Sequence, residues 1–234
     1  MEYSDLKNKA TKSIEKAKTL ILENIPNDEI ICICVKGSYI QDYLLPRSDV
    51  DLVVILKTNQ YLLKVYELSE QGKDYEPQFS ISVYTIDELK TGSLDALRPR
   101  APTSISRFNK SVNDLLFIFG SLPSGEYFKR SDERDIEIDI KILRTKILPE
   151  YEAGSHSFYE LLKWVMRLTE SEQRLNGFES HLWLKNAANA GKDHIINKAL
   201  SLRSEKDVSV EEKKEFLLSF LNYINLLEKR IGHE

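Results

Sequence analysis

The chain has 234 residues, 41% of them hydrophobic and 30% charged, with a formal net charge of −4. That length suits one large domain or two small ones, and the composition is that of an ordinary globular protein with material for a sizeable core. The slightly acidic balance excludes the global basic field that drives strong non-specific nucleic-acid binding.

No apolar run approaches the ~18 residues that a membrane span needs. The opening Met1-Glu2-Tyr3-Ser4-Asp5 is too acidic and polar for a signal peptide. Leu6, Ala10, Ile14, Ala17 and Ile21 recur at helical spacing, so residues 4–24 read as an amphipathic helix that Pro26-Asn27-Asp28 breaks. Ile30 to Val35 is a short apolar run and reads as a buried strand ending at Lys36-Gly37-Ser38. It carries the only cysteines, Cys32 and Cys34. Two apart on a strand, they share a face but are poorly placed to bridge each other. A buried structural role and a reducing, cytoplasmic setting are expected.

Val50 to Leu56 reads as a second buried strand, and residues 60–70 have the composition of a helix. Phe79-Ser80-Ile81-Ser82-Val83-Tyr84 alternates like a half-buried strand, with Ser80, Ser82 and Tyr84 on its polar face. Residues 96–113 carry Arg98, Arg100, Arg107 and Lys110 without an acid, and Pro99 and Pro102 suggest a basic loop. Leu115 to Phe119 reads as a further buried strand closed by Gly120.

From residue 131 the pattern turns helical. Ile136 to Ile140 alternates like a strand, but its charged neighbours and its continuation through Leu143 favour a helix. The run Pro149 to Gly154 is a candidate joint. Phe158, Leu161, Leu162, Val165 and Leu168 form one helical stripe. Ser209 with Glu212 has the spacing of a capping box, opening a last helix whose Phe216, Phe220, Ile224, Leu227 and Ile231 face a core. Trp164 and Trp183 read as core residues, and His156, His181 and His194 lack metal-ligand spacing.

One constellation carries chemistry. Asp49 and Asp51 are one residue apart where the second strand begins, and side chains at i and i+2 of a strand point to one face. Two carboxylates so placed suit Mg²⁺, which takes oxygen ligands and needs only one or two carboxylates when phosphates supply the rest. Gly37, at the end of the first strand, lets backbone approach a phosphate closely, and Ser38 offers an N–H and a hydroxyl. A helix starting at Tyr39 would add a positive dipole end. Gly120-Ser121 also follows an apolar strand, but the matching distance brings Asp132-Glu133-Arg134 with no second acid in place, so it reads as a structural turn.

The run from Lys36 to Val54, with Gly37-Ser38, ten intervening residues and Asp49-Val50-Asp51, resembles the signature of polymerase β-type nucleotidyltransferases. Within that superfamily it is most similar to the streptomycin/spectinomycin adenylyltransferase type, which also carries a Pro-x-Ser before the first acid. The close match covers residues 31–56. It implies an α+β chain: a small mixed nucleotidyltransferase sheet with flanking helices over residues 1–130, then a C-terminal helical bundle domain over residues 131–234. It also implies Mg²⁺ held by Asp49 and Asp51, ATP or another nucleoside triphosphate held by Gly37 and Ser38, and a hydroxyl acceptor on a small molecule, a protein or an RNA end.

Two departures stand against that pattern. Active members carry a third carboxylate on the strand beside the Asp-x-Asp strand, where this chain has Ser80 and Ser82. Glu76, Asp87 and Glu88 lie beyond that strand's ends. The basic run at residues 96–113 does not suit a polycationic acceptor, although Glu170, Glu172 and Glu179 offer carboxylates in the helical half. The alternative is therefore a weak or inactive nucleotide-binding module of regulatory or antitoxin-like kind.

Overall fold

Short β-branched runs make the strands, and 3.6-period stripes make the helices, in a computed structural model that describes residues 2–94 and 104–232. The chain divides between Lys129 and Arg130 into two compact units.

The first unit runs α1 (Tyr3–Asn24), β1 (Ile30–Lys36), a 3₁₀ turn (Gly37–Tyr39), β2 (Val50–Leu56), α2 (Leu62–Gln71), β3 (Phe79–Thr85), α3 (Ile86–Thr91), α4 (Ser104–Ser111) and β4 (Leu116–Gly120). The strands form one mixed sheet in the order β3-β2-β1-β4. β1 is antiparallel to both β2 and β4, while β2 and β3 are parallel. Parallel neighbours need a crossover, which α2 supplies.

Alternation along the strands gives the sheet two unlike faces. Ile33, Val35, Leu52, Val54, Ile81 and Val83 pack in the core that holds Ala10, Ile14, Ala17 and Ile21 of α1 and Val65 and Leu68 of α2. The opposite face carries Cys32, Cys34, Val53, Ile55 and Tyr84, clustered with Leu89 of α3 and Ile105 and Phe108 of α4. By the same alternation Lys36, Asp51, Ser80 and Ser82 continue this second face, and there it turns polar.

Several expectations need correction. Among the described residues β4 is an edge strand with β1 as its one neighbour, and Leu116 on it is 44% exposed, so it is half-buried. Tyr84 is buried in the second cluster and does not lie on a polar face. The stretch from Ser104 to Ser111 is helix, not loop, because Ile105 and Phe108 at helical spacing seat it on the sheet. Asn109 ties it down by donating to the carbonyls of Leu89 and Phe128, each at 2.8 Å. Arg98, Pro99, Arg100 and Pro102 lie outside the described residues.

The second unit is helical: α5 (Asp132–Ile142), a π-helical turn (Leu143–Ile147), α6 (Leu148–Glu152), α7 (Phe158–Leu175), α8 (Trp183–Ala190), α9 (Ile195–Ser204) and α10 (Val210–Ile231). Of the run Pro149 to Gly154, the part up to Glu152 is helical, α6 following directly on the π-helical turn, and the chain turns only at its end, at Gly154. The α7 stripe and Phe216, Phe220, Ile224 and Leu227 are buried, with Ile231 partly so, and Phe158 meets Phe216 edge-on at 5.5 Å. The Ser209–Glu212 capping box forms in both directions. Trp164 is buried, whereas Trp183 is half-buried beneath the Arg203 guanidinium. No described helix is long and apolar enough to cross a membrane.

This unit contains a buried polar network. Asp135 and Asp139, one helical turn apart, are fully buried and face Arg130 and Arg167 at 3.8 and 3.4 Å. Glu170 pairs with Arg174 and His181. Glu172 accepts from Tyr223 at 2.7 Å and meets His194 Nε2 at 3.0 Å. Because His194 Nδ1 accepts from the Ile196 N–H, the neutral ring carries its proton on Nε2, toward Glu172. Two of the carboxylates expected to be free for an acceptor, Glu170 and Glu172, are therefore engaged internally. Only Glu179 is exposed.

Burial pushes the Glu172 carboxyl up, but hydrogen bonds from His194 and Tyr223 and the charge of Arg230 outweigh it and hold it below its ordinary 4.5. A depressed carboxyl contributes stability above its unfolded pKa and loses it as pH falls through the folded one. Glu172→Gln is expected to cost about 2 kcal/mol at pH 7. Thermal unfolding as a function of pH should show that cost shrinking below about pH 4. A cost unchanged down to pH 3 would mean that the carboxylate's charge contributes nothing.

Candidate functional site

Gly37 closes β1 at a φ of +73°, in the left-handed region that side-chain-bearing residues rarely adopt. It is glycine for a second reason. A Cβ at this position would overlap Asp51 Oδ2 and lie 3.1 Å from Asp51 Cγ, so the carboxylate rests directly against the bare backbone. Asp51 is the second residue of β2, half-buried, and stands opposite Lys36 of β1 and Ser80 of β3. Ser80 Oγ donates to Asp51 Oδ1 at 3.0 Å, and Lys36 Nζ donates to Ser82 Oγ at 3.4 Å. Three adjacent strands thus bring a lysine, an aspartate and a serine into one row, with Ser82 two residues on.

The connection over residues 37–49 is held at both ends. The Gly37 and Ser38 carbonyls accept from the N–H groups of Gln41 and Tyr43, each at 3.2 Å. Tyr39 docks on α1, its hydroxyl 3.0 Å from Thr11 Oγ1. Asp42, at a positive φ, pairs with Lys7, which draws its carboxyl below the ordinary range. Further on, the Ser48 N–H donates to the Leu45 carbonyl at 2.9 Å. The Ser48 hydroxyl accepts from the Leu45 N–H at the same distance. This doubly closed turn delivers the chain to Asp49 and β2.

The sequence-expected residues are placed as follows. Gly37 and Asp51 touch. Ser38 is 5% exposed and belongs to the 3₁₀ turn. Asp49 precedes β2 rather than lying within it, and is exposed. No α-helix begins at Tyr39, so no helix dipole points at Gly37-Ser38; the chain makes one 3₁₀ turn and bends toward Tyr43. Glu76 is exposed and precedes β3. Glu88 is buried in the capping box of α3, where it serves the Thr85 N–H, and Asp87 lies in the same first turn. Sequence reasoning missed Lys36, although its parity with Cys32 and Cys34 was a readable signal.

Half-buried Asp51 and exposed Asp49 offer oxygen donors of the type that a hard divalent cation takes. Ser80 is a neutral neighbour, its hydroxyl donating to Asp51 Oδ1. Among the described residues no cluster of three or more His, Cys, Asp or Glu is placed to hold a metal. Cys34 shares the face of Asp51, but burial pushes its thiol up to about 12 and keeps it neutral. Separately, a cavity of about 630 Å³ in the helical unit, bordered by Ile140, Arg144, Glu228 and Ile231, lies outside this row.

No known protein-family model matches the chain, and a search of curated proteins finds no match.

The contact between residue 37 and Asp51 makes a testable coupling. Gly37→Ala is expected to cost roughly 1–3 kcal/mol from left-handed strain and overlap with the carboxylate. In the Asp51→Ala background the overlap falls away and only the strain remains. Denaturant unfolding should therefore show the double variant more stable than the sum of the single costs predicts. Strict additivity would place the carboxylate elsewhere. Gly120→Ala is not a neutral control, because a Cβ at its φ of +59° would strike the Ile31 carbonyl.

Proposed function

We propose that this protein binds a nucleoside triphosphate with Mg²⁺ at Gly37, Ser38, Asp49 and Asp51, and transfers a nucleoside monophosphate to a hydroxyl acceptor. AMP from ATP is the preferred donor chemistry. In that reaction the acceptor oxygen forms a bond to the α-phosphorus, the bond from that phosphorus to the bridging oxygen breaks, and pyrophosphate leaves while the hydroxyl proton passes to solvent. The observation that carries the reading is the seating of the Asp51 carboxylate on the side-chain-free backbone of Gly37, at the polar end of an otherwise apolar sheet face.

Each residue has a physical task. Gly37 leaves room for the Asp51 carboxylate against the end of β1, and its backbone would stand beside the phosphates that the metal brings. Ser38 holds the turn at that point, its carbonyl committed to Tyr43. Asp49 and Asp51 would hold Mg²⁺, which neutralises phosphate charge when bound. Ser80 orients Asp51 through its hydrogen bond. The sheet supports these groups on rigid elements, which favours positioning and charge compensation over covalent chemistry.

A second reading has its own observation. Ser80, the residue of β3 that faces Asp51, is a hydroxyl donor to that carboxylate and cannot act as a general base at neutral pH. A nucleotide-binding module without turnover is consistent with that arrangement.

Isothermal titration of ATP should show binding that depends strongly on Mg²⁺ and collapses in the Asp49→Asn, Asp51→Asn double variant, with its fold retained by circular dichroism. Equal affinity in that variant would remove the carboxylates from the site. Pyrophosphate release with candidate hydroxyl acceptors then separates the readings: turnover supports the transferase, and binding without release supports the module.

A further inference from the structure

We propose that the Lys36 ammonium is the second positive charge of this site, contacting the bound phosphates directly, so that the site takes one divalent cation rather than two. The inference rests on the nucleotide reading above and names how that site compensates phosphate charge.

Lys36 ends a strand whose preceding four residues are all fully buried. Across the antiparallel pair its register partner is Asp51. Opposite charges facing each other on neighbouring strands ordinarily pair. Here they engage other groups. Lys36 reaches past β2 to Ser82 on β3, and Asp51 takes its hydrogen bond from Ser80. The two charges stand on one row of the sheet, each satisfied by a neutral hydroxyl.

A half-buried ammonium with a neutral partner has lost part of its hydration without gaining a counter-charge. It is therefore set to accept an anion, and a phosphate oxygen is a stronger acceptor for it than a serine hydroxyl. The Asp51 carboxylate, in the same row, is set to accept a cation. A ligand bearing both, a triphosphate with a divalent ion, satisfies the row as a whole.

The carboxylate supply points the same way. A two-ion clamp, with its ions ~3.5–4 Å apart, needs carboxylates enough to hold both. The three strands bring Asp51 with Asp49 just before it, and the neighbouring position on β3 is Ser80. Two carboxylates, one ammonium and one divalent ion carry the same net charge as three carboxylates with two divalent ions. The serine on β3 and the lysine on β1 are thus compensating features: one removes a negative charge, and the other removes the need for a second ion.

The test counts ions directly. Protein saturated with a non-hydrolysable ATP analogue is titrated with Mn²⁺, and bound Mn²⁺ is read by electron paramagnetic resonance. One Mn²⁺ per complex is expected; two would overturn the proposal. Lys36→Met should weaken analogue binding at least about tenfold at saturating Mg²⁺, Lys36→Arg should restore most of it, and thermal unfolding should report an intact fold. If Lys36→Met fails to fold, the ion count in the unaltered protein and the Lys36→Arg affinity decide, with one ion and near-native affinity expected. One bound ion with unchanged affinity in a folded Lys36→Met variant overturns the role of Lys36 alone and leaves the nucleotide site standing. Failure of the unaltered protein to bind the analogue at all overturns both.

Discussion

Asp51 can lie against the end of β1 only because residue 37 has no side chain and accepts a left-handed backbone. The contact depends on the β1–β2 register, since Lys36 and Asp51 are cross-strand partners and Gly37 is the next residue. It also depends on the long connection returning the chain at the correct height, which the Leu45–Ser48 turn and the Tyr39–Thr11 contact secure. A one-residue slip would turn Asp51 into the α1 and α2 core and Leu52 toward solvent. Fully buried Leu52 and Val54 hold the register against that.

The unequal covering of the sheet sets where its polar row begins. One face is closed by α1 and α2, and helices α3 and α4 seat on the other at the level of Cys32, Cys34, Val53, Ile55 and Tyr84. Past that apolar level the same face carries Lys36, Asp51, Ser80 and Ser82, whose polar groups bond one another. An apolar floor beside a charged row lowers the local dielectric, and electrostatic interactions there are worth more than they would be in water.

The helical unit handles charge differently. Its carboxylates are spent on structure: Glu170 on Arg174 and His181, Glu172 on His194 and Tyr223, Asp139 on Arg167. A buried acid must be paired or hydrogen-bonded to persist. These groups therefore specify how α5, α7, α9 and α10 pack, and offer little to a cationic acceptor. In the sheet unit, by contrast, Lys36 and Asp51 each meet a neutral hydroxyl, that of Ser82 and that of Ser80.

Most elements were legible in the residues themselves. Alternation and β-branching marked β1, β2 and β3, stripes at helical spacing marked α1, α7 and α10, and Ser209 with Glu212 marked a helix start, because each of these signals is local. The Gly37-Ser38 and Asp49-Val50-Asp51 groups were also visible, since their spacing is written along the chain. Tertiary packing decided the rest. β4 proved half-buried because it lies at the sheet edge, and Ser104–Ser111 proved helical because Ile105 and Phe108 found the sheet. The acids Asp135 and Asp139 went inside because Arg130 and Arg167 were there to meet them. Above all, the row of Lys36, Asp51 and Ser80 comes from strands whose pairing brings together residues far apart in the chain. A cross-strand neighbour is set by register, and register is a property of the packed sheet rather than of any one segment.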